Sequence, residues 1–365
     1  MGVAVLMRVL VVNAGSSSLK LSVVGADEEV RWSQTIPVEA DVWDERRVRG
    51  ALEEMGPVDA VGHRVVHGGE EFTAPVRLDQ AVVDRLRELG SLAPLHQPKS
   101  LAGIEAIDRV LPRVPAVACF DTAFHTTIGP EAHTYAVPGE WREKYAVRRY
   151  GFHGLSHAYA SRRIGEWTGA ERVVVAHLGA GASLSAVLAG RSVDTTMGFT
   201  PLEGLVMATR SGSVDPGLVL WLHQHAGVPV DRIAWSLEHA SGLSALAGGA
   251  DMRQVLERES AGDERAVLAV GVYLHRLRAL VASMAASLGG LDALVFTGGV
   301  GENSVEVRRR CAQGLGFLGV EVDEGVNAKV SGEGEIGVPG SRVRTWVVES
   351  REDVEIVRGV RQVLG

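Results

Sequence analysis

Three turns rich in small residues, each directly following an apolar β-type run, constrain this chain more than any other feature. Arg8–Asn13 leads into Ala14-Gly15-Ser16-Ser17-Ser18, Arg172–His177 into Leu178-Gly179-Ala180-Gly181-Ala182-Ser183, and Leu291–Phe296 into Thr297-Gly298-Gly299-Val300-Gly301. The first two turns end in Ser-Leu and run into a second strand, Leu19–Val24 and Leu184–Ala189. A pattern that restarts near the middle of a 365-residue chain predicts two similar α/β domains with a cleft between them. Turns of this kind let successive backbone N–H groups face one concavity, and serine hydroxyls add donors. One such turn is usually only a turn; three at corresponding places favour a polyphosphate.

Helical spacing fills the intervals. Leu101, Ile104, Ile107 and Leu111 mark a helix over Lys99–Leu111, and Asp79–Leu89 carries a similar pattern. Val114–Phe120 reads as a strand closing on Asp121. Asp215-Pro216 is an N-cap followed by proline at the first helical position. Glu264–Leu288, Ser304–Leu315 and Asp353–Leu364 read as further helices. The expected division is a first domain over residues 1–154, completed by a helix at about 354–365, and a second over 155–353.

Charge and cysteine usage exclude several classes. A net charge of −8 argues against a nucleic-acid partner. Cys119 and Cys311 are too few for a disulfide framework or a structural zinc site, which fits a reducing compartment. The apolar stretch Ala279–Phe296 is interrupted by Gly289-Gly290 and Asp292, so no membrane span is expected. Met1–Leu6 is too short for a signal segment, and a cytoplasmic location is expected.

Familiar nucleotide and hydrolase motifs are missing. There is no G-x-x-x-x-G-K-[ST], no complete dinucleotide fingerprint around Gly179-Ala180-Gly181, no G-x-S-x-G and no H-E-x-x-H. Instead, cationic and imidazole residues lie among glycines and apolar neighbours: Gly62-His63-Arg64-Val65-Val66-His67-Gly68-Gly69, Tyr150-Gly151-Phe152-His153-Gly154 and Met207-Ala208-Thr209-Arg210-Ser211-Gly212. Surface arginines usually sit among polar residues, so such flanks suggest a cleft wall, with a structural ion pair or turn as the equal alternative.

Here the chain resembles a known family. Val11-Val12-Asn13-Ala14-Gly15-Ser16-Ser17-Ser18-Leu19-Lys20 and Arg149-Tyr150-Gly151-Phe152-His153-Gly154-Leu155-Ser156-His157 are similar to the two signatures of acetate kinases. Gly62–Glu70, Leu92–Pro98, Phe120–His125, Met197–Gly204, Arg210-Ser211-Gly212 and Phe296–Ser304 match in family order across nearly the whole chain. The resemblance implies an α/β fold of duplicated, mixed, twisted sheets, shared by acetate and sugar kinases and actin-like ATPases. It implies ATP and ADP as co-substrates, Mg²⁺ (or Mn²⁺) as cofactor, a short-chain carboxylate as acceptor and a homodimer. The alternatives are a propionate or butyrate kinase, and a non-catalytic nucleotide-binding protein on the same fold.

Carried over position by position, the resemblance implies these roles. Asn13 and Glu352 would hold the metal, with Glu349 and Asp353 as competing placements for the carboxylate. Ser16, Ser18 and Lys20 would lie near the phosphates, joined by His177, Leu178, Gly179, Ala180 and Gly181. Asp251, Met252 and Arg253 would meet the adenosine, and Gly299, Val300, Gly301, Glu302 and Asn303 would form the last nucleotide loop. Arg64 would take the acceptor carboxylate, with its methyl against Val66, Leu95, Phe152 and Pro201. His153 and Arg210 would stabilise the transferring group, and Asp121 would be the catalytic carboxylate. The chain departs from the family in having Ala180 for Asn, Ala208 for Gly and Ser213 for Asp, and in a shorter stretch before Gly62.

The chemistry explains the residue types. A carboxylate is already anionic at neutral pH and needs no general base; the obstacle is bringing it to a charged phosphate. Positive charge and orientation are what the site must supply. Arginine can fork onto a carboxylate where lysine cannot, and donors to the equatorial oxygens act where transition-state charge resides. Val66, rather than a smaller residue, leans toward acetate.

Overall fold

The computed structural model describes residues 7–15, 18–37, 45–92 and 97–365. The chain forms two compact units: residues 1–126 with 351–365, and residues 127–350.

The first unit is built on a six-stranded mixed sheet in the order β3-β2-β1-β4-β6-β5. Its strands are β1 (Val9–Ala14), β2 (Ser18–Val24), β3 (Val30–Pro37), β4 (Ala60–Val65), β5 (Val76–Arg77) and β6 (Ala116–Phe120). β1 runs parallel to β4, and β4 to β6, while β1–β2–β3 is an antiparallel meander. Both faces are covered, so β1 and β6 read as unbroken apolar runs. On one face lie α1 (Glu45–Glu54), α2 (Gln80–Glu88) and α3 (Gln97–Val110); Ile107 of α3 joins Leu10, Val12 and Val61 in one core cluster. Asp79 starts α2 by accepting from the Val82 amide at 2.8 Å.

The other face holds the C-terminal helix, Glu352–Leu364. Gly62 makes its close approach possible: a Cβ there would lie 2.4 Å from Ile356 Cγ2 and 2.9 Å from Val360 Cγ2. Strand alternation then sends His63 toward α3 and Arg64 toward the start of the C-terminal helix.

The second unit repeats the plan. Its strands are β7 (Arg172–Leu178), β8 (Ala182–Leu188), β9 (Arg191–Thr195), β10 (Ala293–Thr297), β11 (Gly334–Glu335) and β12 (Arg344–Val347). They order as β11-β12-β10-β7-β8-β9, which is the first sheet's order with each strand replaced by its counterpart. The antiparallel β7–β8–β9 meander and the parallel β7–β10–β12 set match as well. The duplication suggested by the turns is therefore a duplication of topology.

Helix Glu264–Ser287 is long and apolar enough to cross a bilayer by length and composition. Its Ala269, Val270, Leu274, Leu277 and Val281 are buried in the second unit's core.

The division falls at residue 126, not near 154. Residues 127–153 are tied into the second unit: Thr127 Oγ1 donates to Ser192 O at 2.7 Å, and Arg149 Nη2 to Glu203 Oε1 at 2.8 Å. The Tyr150 amide donates to Gly198 O at 3.0 Å. Thus His153 belongs to the second unit.

Candidate active site

In the first unit, four expected residues form one network. Arg64 forks onto Asp121, with Nε 2.9 Å from Oδ1 and Nη2 2.5 Å from Oδ2. Its Nη1 donates to Asn13 Oδ1 at 3.1 Å and lies 3.5 Å from Glu352 Oε2. Asn13 Nδ2 in turn donates to Glu352 Oε2 at 3.0 Å. Burial alone would lower the Arg64 guanidinium, but Asp121 and Glu352 outweigh it and hold it above its ordinary value. Asp121 is 1% exposed and directly follows β6, and its amide donates to Val65 O at 3.0 Å.

Of the three carboxylates considered for the metal, Glu352 is the one facing Asn13. Asp353 is bound to Arg351 through Nε and Nη2 at 3.0 Å each, and Glu349 is exposed. Among the described residues no three His, Cys, Asp or Glu side chains cluster for a metal. Mg²⁺ needs only one or two protein carboxylates and keeps several waters, so the amide and carboxylate oxygens of Asn13 and Glu352 suit it.

Ser18 opens β2, and Lys20 pairs directly across from Asn13, so both side chains project from one face. Val66 is buried after β4. Ser16 and Leu95 lie outside the described residues.

The second unit gathers the phosphate-type residues. His153 opens helix Gly154–Thr168 in a left-handed conformation, φ 56°. Its Nδ1 is 2.9 Å from Ser183 Oγ, which is also 2.7 Å from His157 Nε2. The His153 ring stacks on His177 with centroids 4.4 Å apart, and His177 Nδ1 is 2.8 Å from Ser156 Oγ. Arg210 Nη1 donates to Pro201 O at 3.3 Å. Gly181 reports how these groups converge: a Cβ built there would lie 3.3 Å from His153 Nε2 and 3.4 Å from Arg210 Nη1. Burial lowers the Arg210 guanidinium, with Glu238 acting in the opposite sense. It stays charged, as arginine does in proteins, and an anion beside it would relieve that cost. Phe152 is 1% exposed and Pro201 half-buried.

The turn from β7 to β8 is closed by the Gly179 amide donating to Gly181 O at 3.0 Å. The Ala208 amide donates to Ala180 O at 3.1 Å, so two of the departures from the family pattern touch each other. Gly179 and Ala180 line a cavity of about 280 Å³ with Asp251, Arg253, Val300 and Asn303. Met252 and Gly299 also border it. Three segments that lie far apart in sequence thus share one concavity. Asp251 caps helix Met252–Ser260, accepting from the Arg253 amide at 2.9 Å, and Arg253 holds its carboxyl below the ordinary value. Glu302 lies on helix Gly298–Asn303 and accepts from the Gly298 and Ser350 amides at 2.9 Å each, while burial pushes its carboxyl up. Sequence reasoning missed Ser183, Ser156 and His157 as supports. His157 falls inside the second signature, but nothing in the sequence joins it to Ser183.

Known proteins resemble this chain in sequence and fold. Residues 34–358 match the acetokinase family. An acetate kinase of Deinococcus deserti is 49% identical over 323 residues, 86% of this chain and 80% of its own. The crystal structure of Porphyromonas gingivalis acetate kinase superposes with TM-score 0.89 at 35% identity, covering 98% of this chain and all of its own. That of a propionate kinase from Francisella tularensis gives 0.90 at 34% identity, covering 98% of this chain and all of its own. With its duplicated sheets and these matches, the chain belongs to the acetokinase family.

Proposed function

We propose that this chain reversibly transfers the γ-phosphoryl group of ATP to acetate, giving acetyl phosphate and ADP by direct in-line displacement. The observation that carries the reading is the meeting of His153 Nε2 and Arg210 Nη1 beside Gly181, at 3.3 and 3.4 Å from where a Cβ there would stand. Such an arrangement suits the equatorial oxygens of a transferring phosphoryl group. Arg64, preset by Asp121, is the group to orient the acceptor carboxylate, with Val66, Leu95, Phe152 and Pro201 taking its methyl. Asp121 acts by holding Arg64, since the acetate oxygen has no proton to give up.

The nucleotide belongs to the second unit's cavity, against Gly179–Gly181, Asp251–Arg253 and Gly299–Asn303, with Ser16, Ser18, Lys20, His177 and Leu178 assigned to its phosphates. Asn13 and Glu352 are the residues that would hold Mg²⁺, which supplies positive charge to phosphate oxygens. The free, buried Cys119 and Cys311 accord with a cytoplasmic protein. Leu220, Trp221 and Trp235 are each more than half exposed on helices Pro216–Gln224 and Val230–His239, a large apolar surface that suits a homodimer.

The likeness to a propionate kinase favours propionate as the second acceptor; one pocket methylene is worth only about 1–3 kcal/mol. Trapping the acyl phosphate as its hydroxamate, with ATP, Mg²⁺ and acetate, propionate or butyrate, tests both readings. Acetate should give the highest kcat/KM. Absence of product with all three acids would leave a nucleotide-binding protein without this activity.

A further inference from the structure

Residues 196–213 run irregularly from β9 to helix Pro216–Gln224, and they carry both Pro201 and Arg210. Irregular backbone is placed by whatever bonds close it. Two closures divide the segment. The later one is made within the segment itself: the Ser213 amide donates to Gly204 O at 3.1 Å, and the Gly204 amide to Ser213 Oγ at 3.0 Å. The earlier one, over residues 196–203, depends on side chains from elsewhere. Arg149 Nη1 donates to Thr196 O and Met197 O at 3.1 Å each, and its Nη2 to Glu203 Oε1 at 2.8 Å. One guanidinium therefore holds both ends of the loop.

Tyr135 holds the other side. Its hydroxyl donates to Glu203 Oε2 and accepts from the Phe199 amide at 3.1 Å. Burial first, and the Glu203 carboxylate next, push that hydroxyl up, so it remains a donor at neutral pH. Both oxygens of one carboxylate are thus bound from two directions. The carboxylate also lies against Gly198, where a Cβ would overlap Glu203 Oε2 and Tyr135 Oη. Gly198 O accepts from the Tyr150 amide at 3.0 Å, in the run that leads to Phe152 and His153. Only Leu202 separates Glu203 from Pro201, whose carbonyl accepts from Arg210 Nη1 at 3.3 Å. That nitrogen is the one beside Gly181. A partly exposed ion pair adds little to stability, so what this carboxylate chiefly supplies is position.

We propose that Glu203 is a positioning residue for phosphoryl transfer: it fixes residues 196–203, and through them the Pro201 carbonyl that aims Arg210. Glu203 itself touches no reacting atom. The inference rests on the proposed role of Arg210 in phosphoryl transfer. Without the carboxylate the loop shifts, Arg210 is misdirected, and turnover falls. Nucleotide binding is untouched, because Gly179, Asp251, Arg253 and Asn303 line that cavity without help from residues 196–203. Once Arg210 is gone, Glu203 has nothing left to aim.

The test uses the full chain, with hydroxamate trapping for kcat and calorimetry for ATP affinity. Glu203→Gln keeps the shape of the side chain and should lower kcat by about tenfold, with ATP affinity unchanged. Gly198→Ala displaces the carboxylate without removing it and should cause a similar loss; it keeps the test valid if Glu203→Gln fails to fold. The deciding readout is the double variant. Added to Arg210→Ala, Glu203→Gln should change kcat by no more than about twofold, since two residues acting as one unit do not add. A tenfold loss in both backgrounds would show Glu203 acting through packing alone and overturn the proposal. So would native kcat in Glu203→Gln and Gly198→Ala, or a loss of ATP affinity matching the loss of turnover. These outcomes leave the phosphotransfer reading standing. A native protein that makes no acyl phosphate, or an Arg210→Ala protein with native turnover, would overturn that reading and this inference with it.

Discussion

Arg64 meets Asp121 side-on, through Nε to Oδ1 at 2.9 Å and Nη2 to Oδ2 at 2.5 Å. The carboxylate is buried and fixes the direction of the guanidinium edge that remains. Asp121→Ala should therefore damage both fold and function. Leaving a buried charge without its partner costs about 3–5 kcal/mol, visible as a lower denaturation midpoint. Asp121→Asn keeps the shape and should keep the fold, yet lower kcat/KM for acetate by about 10²-fold, because a misaligned clamp loses orientation. Unchanged acetate kinetics in Asp121→Asn would remove Asp121 from the site.

Gly181 is the position where a single methyl tests the phosphate side proposed above. Its Cβ would stand 3.3 Å from His153 Nε2 and 3.4 Å from Arg210 Nη1, tighter than ordinary contact but clear of the backbone of either residue. Gly181→Ala should fold normally and lose about 10–100-fold in kcat, with the two donors pushed apart. Normal turnover in a well-folded Gly181→Ala protein would argue that nothing reacts above this glycine.

Ser183 holds His153 from behind, with His157 on its other side. Ser183→Ala leaves a buried imidazole nitrogen short of a partner, at a cost of about 1–3 kcal/mol. Turnover should fall about tenfold as the His153 ring loses its fixed orientation, while Ser183→Thr, which keeps the hydroxyl, should recover much of it. Equal loss in both variants would point to packing alone.

Two buried imidazoles set an acid limit on stability. His63 is lowered by burial to about 3 and His67 likewise to about 4, from 6.5; His67 Nδ1 also accepts from the Gly69 amide at 2.9 Å. Below pH 6.5 the unfolded chain binds protons that the folded chain refuses. Stability is therefore full above that pH and falls on acidification down toward pH 3–4, by about 1.4 kcal/mol per pH unit for each ring. Urea midpoints at several pH values should show the decline, with a shallower slope in His63→Phe. An equal slope in that variant would contradict a neutral, buried His63.

Much of this was legible in the sequence where local chemistry decides structure. Asp215-Pro216 starts a helix because the cap and the missing amide act within one turn, and Asp215 does accept from the Gly217 amide at 2.9 Å. The restarted strand-turn-strand pattern gave the duplication because each turn follows its own strand. What stayed hidden depends on distance along the chain. Ser183 meets two histidines about thirty residues earlier, and a serine in a turn carries no mark of that. Residues 127–153 join the second unit through pairs such as Arg149 with Glu203, which no periodicity announces. His63 adjoins Arg64 in sequence, but strand alternation turns the two side chains to opposite faces of the sheet.

If two guanidinium groups and an imidazole let one anion attack another, Arg210 is the residue whose loss shows it most directly. Acyl phosphate formation should be compared between the native protein and Arg210→Ala, with ATP affinity measured separately by calorimetry. In Arg210→Ala, kcat should fall by about 10³-fold or more with little change in ATP binding, as expected for a cation that acts on transferring phosphoryl charge. Turnover within a few-fold of the native protein would contradict it.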